Sequence, residues 1–348
     1  MIYMKAEHTK HLLKFKKPGG TSRGVLTEKK TWFLKIKDEN GNTGIGECAL
    51  FKGLSNDDRP DYEATLEWVC KNIELGKDQL LKKLNEFPSI QIGVETAFLS
   101  LSGNDRQQLF NTDFSNGKKG IPINGLIWMG NSDFMYDQID QKLEQGFTCL
   151  KLKIGALDFA DEIDILRFIR KRYSPNELTL RVDANGAFRP SEAAHRLEEL
   201  SRLGIHSIEQ PIKPRFVDDL AELCKKTPLP IALDESLIGI TDVTKKQSLL
   251  QTIRPQFIIL KPSLVGGFSG TDEWINEAGK LDIDWWITSA LESNIGLNAI
   301  AQYTSTKDID KPQGLGTGGL FTNNIEGPLE IIGEELWFNT DKSWSINL

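Results

Sequence analysis

From Ile121 onward the chain alternates short apolar segments with amphipathic ones, eight times in about 200 residues, and no other feature limits the fold as tightly. The apolar segments read IPINGLIWM, TCLKLKIG, LTLRVDAN, HSIEQP, LPIALDES, FIILKPS, WWITSALES and GLGTGGLF. Between them lie stretches such as DEIDILRFIRKRY, SEAAHRLEELSRLG and VDDLAELCKK, whose apolar residues recur three and four apart, the helical period. Repeated strand–helix units build a parallel sheet, because each helix carries the chain back to start the next strand. An open doubly wound sheet would normally carry a glycine-rich nucleotide turn after its first strand, and none is present. The pattern therefore predicts a (β/α)8-type barrel over residues 119–320.

The first 118 residues read as a separate α+β unit. Glu7 to Phe15 alternate like a strand, and TWFLKIKDENGNTGIGECAL reads as a hairpin around Glu39-Asn40-Gly41-Asn42. Two helical stretches follow, EATLEWVCKNI and SIQIGVETAFLSLSG, and then a polar, glycine-rich linker from Asn111 to Gly120. The tail, residues 321–348, is expected to pack back on this first unit.

Composition removes several functional classes. Hydrophobic residues make up 39% and charged residues 26%, enough for a sizeable core. A net charge of −7 gives no basic footprint for nucleic acid. No run approaches the roughly 20 apolar residues of a membrane helix, and no secretory leader is evident. Cys48, Cys70, Cys149 and Cys224 are scattered and read as reduced core thiols, which suits a cytoplasmic protein. Homo-oligomerisation is left open.

Charges inside barrel strands are costly unless paired. Yet five consecutive strands carry one at or near the C-terminal end: Lys151 and Lys153, then Asp183, Glu209, Asp234 and Lys261. That end is where barrels of this kind build active sites. Three converging carboxylates from adjacent strands repel one another unless a cation lies between them. Oxygen-only ligands favour Mg²⁺ first and Mn²⁺ second, and the lack of His or Cys argues against zinc. Lys153 and Lys261 flank the carboxylates from opposite sides. Lys151, two residues before Lys153, shares its face, and a neighbouring ammonium should lower the pKa of Lys153 toward that of a general base. A metal facing a substrate carboxylate, with a neutral lysine beside it, can remove the α-proton and stabilise the enediolate.

Single residues have plainer readings. One lysine at a strand end is usually a snorkelling cation, and one carboxylate can cap a helix, although Ser191 would cap the helix after Asp183 better. Arg181 is read as a structural partner of the carboxylates. Asn185 could turn its loop or touch the site. Glu235 should point away from Asp234 and support from behind. His8, His11, His195 and His206 are all badly placed for chemistry at the mouth. The K-x-K, D, E, D, K order is what sets the constellation apart from chance.

That order, as LKLKIG, RVDANGAF, SIEQPI, IALDES and IILKPSLVGG, resembles the muconate-cycloisomerase branch of the enolase superfamily over nearly the whole chain. The use of a lysine base with Mg²⁺ in such enzymes is a property of the superfamily. The resemblance implies the modified, (β/α)7β form of the TIM barrel with an α+β N-terminal capping domain. It also implies Asp183, Glu209 and Asp234 as ligands of Mg²⁺, Lys153 and Lys261 as catalytic, Lys151 as supporting, and a small carboxylate as substrate. Four further stretches, TSRG (Thr21–Gly24), GECALFKGLS, TSALESNIG and GLGTGGLF, are similar to those of the branch members that eliminate water from a succinyl-hydroxy-cyclohexadiene carboxylate in menaquinone synthesis. They suggest Arg23, Ser289, Thr317 and Gly318 as substrate contacts, and Pro18–Gly24 and Phe51–Ser55 as lid loops. ITSALESNIG lacks the histidine of mandelate-racemase-like enzymes, and GTGGLFTNNIEG lacks the Asp-x-Asp of dipeptide epimerases. N-succinylamino acid racemisation and lactonisation would share the same intermediate. A Schiff-base aldolase on Lys153 or Lys261, and a metal-binding barrel without turnover, are readings from other classes.

Overall fold

The structure, a computed structural model, describes residues 4–21, 24–103 and 107–347. Two long strands, β1 (Lys5–Thr21) and β2 (Gly24–Lys37), pair antiparallel from Lys5↔Lys37 to Thr21↔Gly24, with an irregularity between Lys14 and Gly19. Pro18–Gly24, expected to be a loop, is largely ladder, since Gly19 pairs with Leu26 and Gly20 with Val25. Gly20 also bridges Met129, where a Cβ would lie 2.3 Å from the Met129 carbonyl oxygen, so only glycine lets this hairpin touch the barrel. Arg23 lies outside the described residues. The Asp38 carboxylate accepts from the backbone N–H groups of Asn40 and Asn42, shaping the turn into β3 (Thr43–Cys48).

Helices α1 (Tyr62–Lys71), α2 (Lys77–Lys83) and α3 (Pro88–Ser102) cover one face of this sheet. Trp32, Leu34 and Ile36 meet Leu66, Val69, Ile90 and Val94 there. The GIGEC sequence is explained by the approach of α3: a Cβ on Gly46 would sit 2.0 Å from the Gly93 carbonyl oxygen, and one on Gly44 2.1 Å from that of Ala97.

The expected strand IPINGLIWM is divided. Ile121–Pro122 (β4) joins a different sheet, and only Gly125–Ile127 (β5) enters the barrel. The alternation then runs α4 (Ser132–Glu144), β6 (Cys149–Lys153), α5 (Phe159–Arg170), β7 (Thr179–Asp183), α6 (Pro190–Ser201), β8 (Ser207–Glu209), α7 (Val217–Lys226), β9 (Ile231–Leu233), α8 (Val243–Ile253) and β10 (Phe257–Leu260). It ends with α9 (Pro262–Val265), α10 (Gly267–Gly279), β11 (Asp284–Ile287) and α11 (Asn294–Thr304). Strands β5 to β11 form one parallel sheet in chain order. The N-cap of α6 is Arg189, whose N–H is met by Glu192; Pro190 at the first turn leaves Ser191 inside the helix, so it is not the cap.

The eighth strand expected over GLGTGGLF is nearly absent. Single bridges Ile123↔Gln313 and Thr288↔Gly314 close the barrel, and Gly318–Leu320 is a turn of 3-10 helix. So glycine-rich a segment offers little side-chain burial to hold a strand. At Gly314 a Cβ would lie 2.4 Å from Thr288 Oγ1.

The tail forms the hairpin β12 (Leu329–Ile332) and β13 (Glu335–Phe338), and β13 pairs with β4. Glu334, at its turn, accepts from Thr148 N at 2.8 Å, at the N-terminal edge of β6, so the hairpin covers the bottom of the barrel. The tail also meets the first sheet at both its ends: Phe321 bridges Phe15 and Asn323 accepts from Lys14 N and donates to the Leu12 carbonyl, while Trp344 and Ile346 reach Phe33 and Ile45.

Two buried carboxylates fasten the α+β unit to the barrel. Glu47 on β3 accepts from Ser293 N at 3.0 Å and Gly296 N at 2.9 Å, at the start of α11. Glu95 on α3 accepts from Phe268 N at 2.6 Å and Ser269 N at 3.1 Å, at the start of α10. Helix N-termini expose unpaired N–H groups and favour negative charge, so both contacts are well matched. No helix among the described residues is long and apolar enough to cross a membrane.

Candidate active site

Strand ends set the spacing of the charged layer. Lys153, Asp183 and Glu209 are the last residues of β6, β7 and β8 and lie in register, Lys153↔Asp183 and Asp183↔Glu209. Asp234 and Lys261 directly follow β9 and β10. Lys151 lies one pleat below Lys153 on the same face. Asp183, Glu209, Asp234, Lys151 and Lys261 are buried, and Lys153 is mostly so.

These six side chains form one chain of ion pairs. Lys153 Nζ stands 2.5 Å from Asp183 Oδ2, and Lys151 Nζ stands 2.9 Å from the same oxygen. Lys151 also donates to Glu209, and Lys261 donates to Asp234 and lies 3.9 Å from Glu209 Oε1. Three basic and three acidic side chains thus share one largely buried network. The two lysines of β6 do not stand as bare neighbours, as expected from their spacing, because the Asp183 carboxylate lies against both. Burial opposes the charge on Lys151, but Asp183 and Glu209 outweigh it and raise its pKa. The same contest, with Asp234 as the main partner, raises that of Lys261. Burial likewise works against Asp183, yet Lys151 and Lys153 hold it well below the usual carboxylate range. Glu209 is pushed up to about 8 by burial and by Asp183 beside it. Burial also raises Asp234, against the pull of Lys261.

Among the described residues, no group of three His, Cys, Asp or Glu side chains is drawn up at metal-ligand spacing, because ammonium groups bridge the carboxylates. The donor set still fits a divalent cation. Three buried carboxylates come from adjacent strands, Glu209 Oε1 has no hydrogen-bond partner, and Glu209 carries charge only at a cost that a cation would relieve.

Around this layer some expectations change. Asn185 both turns its loop and touches the site: it has φ +45°, donates to Glu235 at 3.0 Å, and its Oδ1 accepts from Lys153 at 3.1 Å. Glu235 therefore does not face away but braces Asn185. Arg181 forms no direct ion pair with the carboxylates, although Glu209 acts on its charge through space. It donates to the Pro312 carbonyl at 2.8 Å and lies 4.1 Å from the Trp286 ring, in the lower barrel.

Above the lysines is a small cavity of about 70 Å³, partly open to solvent. Its walls are mainly apolar: Leu26 and Phe51 from the N-terminal unit, and Leu126, Trp128, Leu264 and Leu291 from the barrel. Ser289 and Thr317 line it and hydrogen-bond each other at 2.8 Å. Gly318 is not among the lining residues, and a Cβ there would meet Asn294 Oδ1 at 2.8 Å. Sequence reasoning missed Asn124 and Thr288. Both line the cavity, and Asn124 Oδ1 and Thr288 Oγ1 are buried without hydrogen-bond partners. Neither stands out in the chain, because what marks them is the closure at residues 313–314.

Residues 135–320 match the family model described as Enolase C-terminal domain-like. A curated o-succinylbenzoate synthase from Desulfotalea psychrophila is 44% identical, covering 96% of this chain and 98% of that protein. A crystal structure of MenC from the same organism superposes with a TM-score of 0.85 at 41% identity, covering 96% of this chain and 99% of that one. An L-Ala-D/L-Glu epimerase from Bacillus subtilis is 26% identical, covering 90% of this chain and 89% of that protein. With the lysines and carboxylates on successive strand ends of a (β/α)7β barrel, these matches place the chain in the enolase superfamily, to which it belongs together with the Desulfotalea enzyme.

Proposed function

We propose that this chain is an o-succinylbenzoate synthase, which removes water from a succinyl-hydroxy-cyclohexadiene carboxylate to give 2-succinylbenzoate in menaquinone synthesis. The full-length 44% match carries the choice of substrate, and the charged layer supplies chemistry suited to it. Asp183, Glu209 and Asp234 would hold a divalent metal, Mg²⁺ by the hardness of its oxygen donors, which when bound would supply positive charge beside the substrate carboxylate. Lys153, in its amine form, takes the proton α to the carboxylate. The electron pair left behind closes the aromatic system as the ring C–O bond breaks. Lys153, now an ammonium, returns the proton to the departing hydroxide, so water leaves from the same face and the lysine is regenerated. Lys261, on the far side of the carboxylates, places a fixed positive charge beside the enediolate. Asn185 keeps Lys153 in line, and the apolar walls exclude bulk water.

The test is a spectrophotometric assay of the purified protein with Mg²⁺, following loss of the diene absorbance. Rapid, chelator-sensitive loss supports the reading, and no loss from folded protein sinks it. Racemisation is the second reading, favoured by lysines on both flanks of the carboxylates, one for each substrate face. α-Proton exchange in D₂O on an N-succinylamino acid would reveal it.

A further inference from the structure

Lys29 is a lysine in an unusual position. It lies on β2, is 7% exposed, and its ammonium has no hydrogen-bond partner. Its strand neighbours fix where it points. Leu13, directly across the ladder, packs on Leu291, and Thr31, next on the same face, donates to Glu47 at 2.7 Å. Glu47 in turn holds Ser293 N. The Lys29 side chain is thus directed at the stretch 291–293 of the barrel. Burial lowers its pKa, while Glu47 and Glu292 pull it up.

Glu292 ties together the loops on the Lys261 side of the cavity. It is 1% exposed and accepts from Ser263 Oγ at 2.5 Å, Ser289 Oγ at 2.5 Å and Ala290 N at 2.8 Å. Ser263 stands two residues beyond Lys261. Ser289 lines the cavity and accepts from Thr317 at 2.8 Å. One carboxylate therefore fixes the loops after β10 and β11 and, through Ser289, the segment that closes the barrel. Its partners are neutral. Glu47 has the N-terminus of α11 to offset its charge, whereas Glu292 has a single backbone N–H. A buried carboxylate with only neutral donors is poorly compensated, and a cation close by relieves it.

We propose that Lys29 is a positioning residue: from the N-terminal unit it supplies the counter-charge to Glu292, and thereby holds the Ser289–Thr317 wall and the loop after Lys261 in working geometry. The N-terminal unit would then complete the site electrostatically as well as cover it. The proposal rests on reading the barrel mouth as the reaction site.

Charge reciprocity tests it. Lys29→Met keeps most of the volume of the side chain but removes the charge, and should lower kcat by about 10- to 100-fold, as for a misplaced site, with metal affinity unchanged. Adding Glu292→Gln removes the stranded negative charge, and the double variant should recover most of that loss. Glu47→Gln should not rescue, since it loosens the hold on α11. Losses that multiply in the double variant, full activity in Lys29→Met, or rescue by Glu47→Gln instead would each overturn the proposal. If Lys29→Met does not fold, folding restored by Glu292→Gln supports the pairing, and failure to restore it overturns it. The unmodified protein, assayed alongside for dehydration and for α-proton exchange, separates failure of this proposal from failure of the proposed reaction.

Discussion

Lys151 and Lys153 direct their ammonium groups at the same atom, Asp183 Oδ2, at 2.9 and 2.5 Å. One carboxylate oxygen thus links the proposed base to the proposed metal site. A cation that engaged Asp183 would compete directly with Lys153 for it. Lys153→Ala should reduce kcat by at least about 10³-fold, because the same group acts as base and then as acid. Steady-state rates close to those of the unmodified protein would exclude Lys153 from the chemistry.

Metal removal should abolish turnover. Dialysis against EDTA is expected to leave a folded but inactive protein, with activity restored by Mg²⁺ or Mn²⁺. Glu209→Gln should weaken metal binding, measured by calorimetry. It should not unfold the barrel, since Glu209 carries charge at a cost, its pKa pushed up to about 8 by burial and Asp183. Full activity after exhaustive chelation would point to chemistry without metal, such as a Schiff base, which borohydride trapping would detect.

Asp57 gives a pH signature of stability away from the site. Its Oδ2 accepts from Ser89 N at 2.9 Å and Ser89 Oγ at 2.6 Å at the start of α3, while Oδ1 has no hydrogen-bond partner. Burial raises its pKa from 3.8 to about 6, outweighing the Ser89 hydrogen bonds. The folded state therefore holds a proton that the unfolded chain has released, and stability from this group falls as pH rises from about 4 through 6. The loss is about 3 kcal/mol by neutral pH, as an upper figure. Asp57→Asn should raise Tm relative to the unmodified protein at pH 7.5, and the gain should shrink toward zero near pH 4. A gain that is independent of pH would refute the assignment.

Gly46→Ala should destabilise severely. Its Cβ would fall 2.0 Å from the Gly93 carbonyl oxygen, backbone on both sides, so β3 and α3 must part. A cost of about 3 kcal/mol or failure to fold is expected. Gly279→Ala is the control: nothing lies within 4 Å of a Cβ there, and Tm should hold or rise slightly. Equal Tm values for the two variants would contradict the close packing.

How much of this was legible in the sequence depended on the range of the interactions. The helical period of DEIDILRFIRKRY and the charges ending LKLK, RVD and SIE are local patterns, and they placed the barrel strands and the charged layer. IPINGLIWM reads as one strand because its apolar run is continuous. Its split into β4 and β5 depends on pairing with β13, more than 200 residues later. Arg181 was misread because its face and its depth below Asp183 follow from spacing, but the Pro312 carbonyl and the Trp286 ring that engage its guanidinium come from far later in the chain. The part played by Glu292 was likewise invisible, since Ser263 reaches it only through the folded chain.

The two carboxylates that clasp the starts of α10 and α11 make the N-terminal unit specific to this barrel. Glu47 meets Ser293 and Gly296, and Glu95 meets Phe268 and Ser269. A chimera that sets this unit on a relative's barrel would inherit two buried negative charges, each needing an open helix end at a matching height. Modular exchange within the superfamily is thereby limited by electrostatic registration as much as by shape.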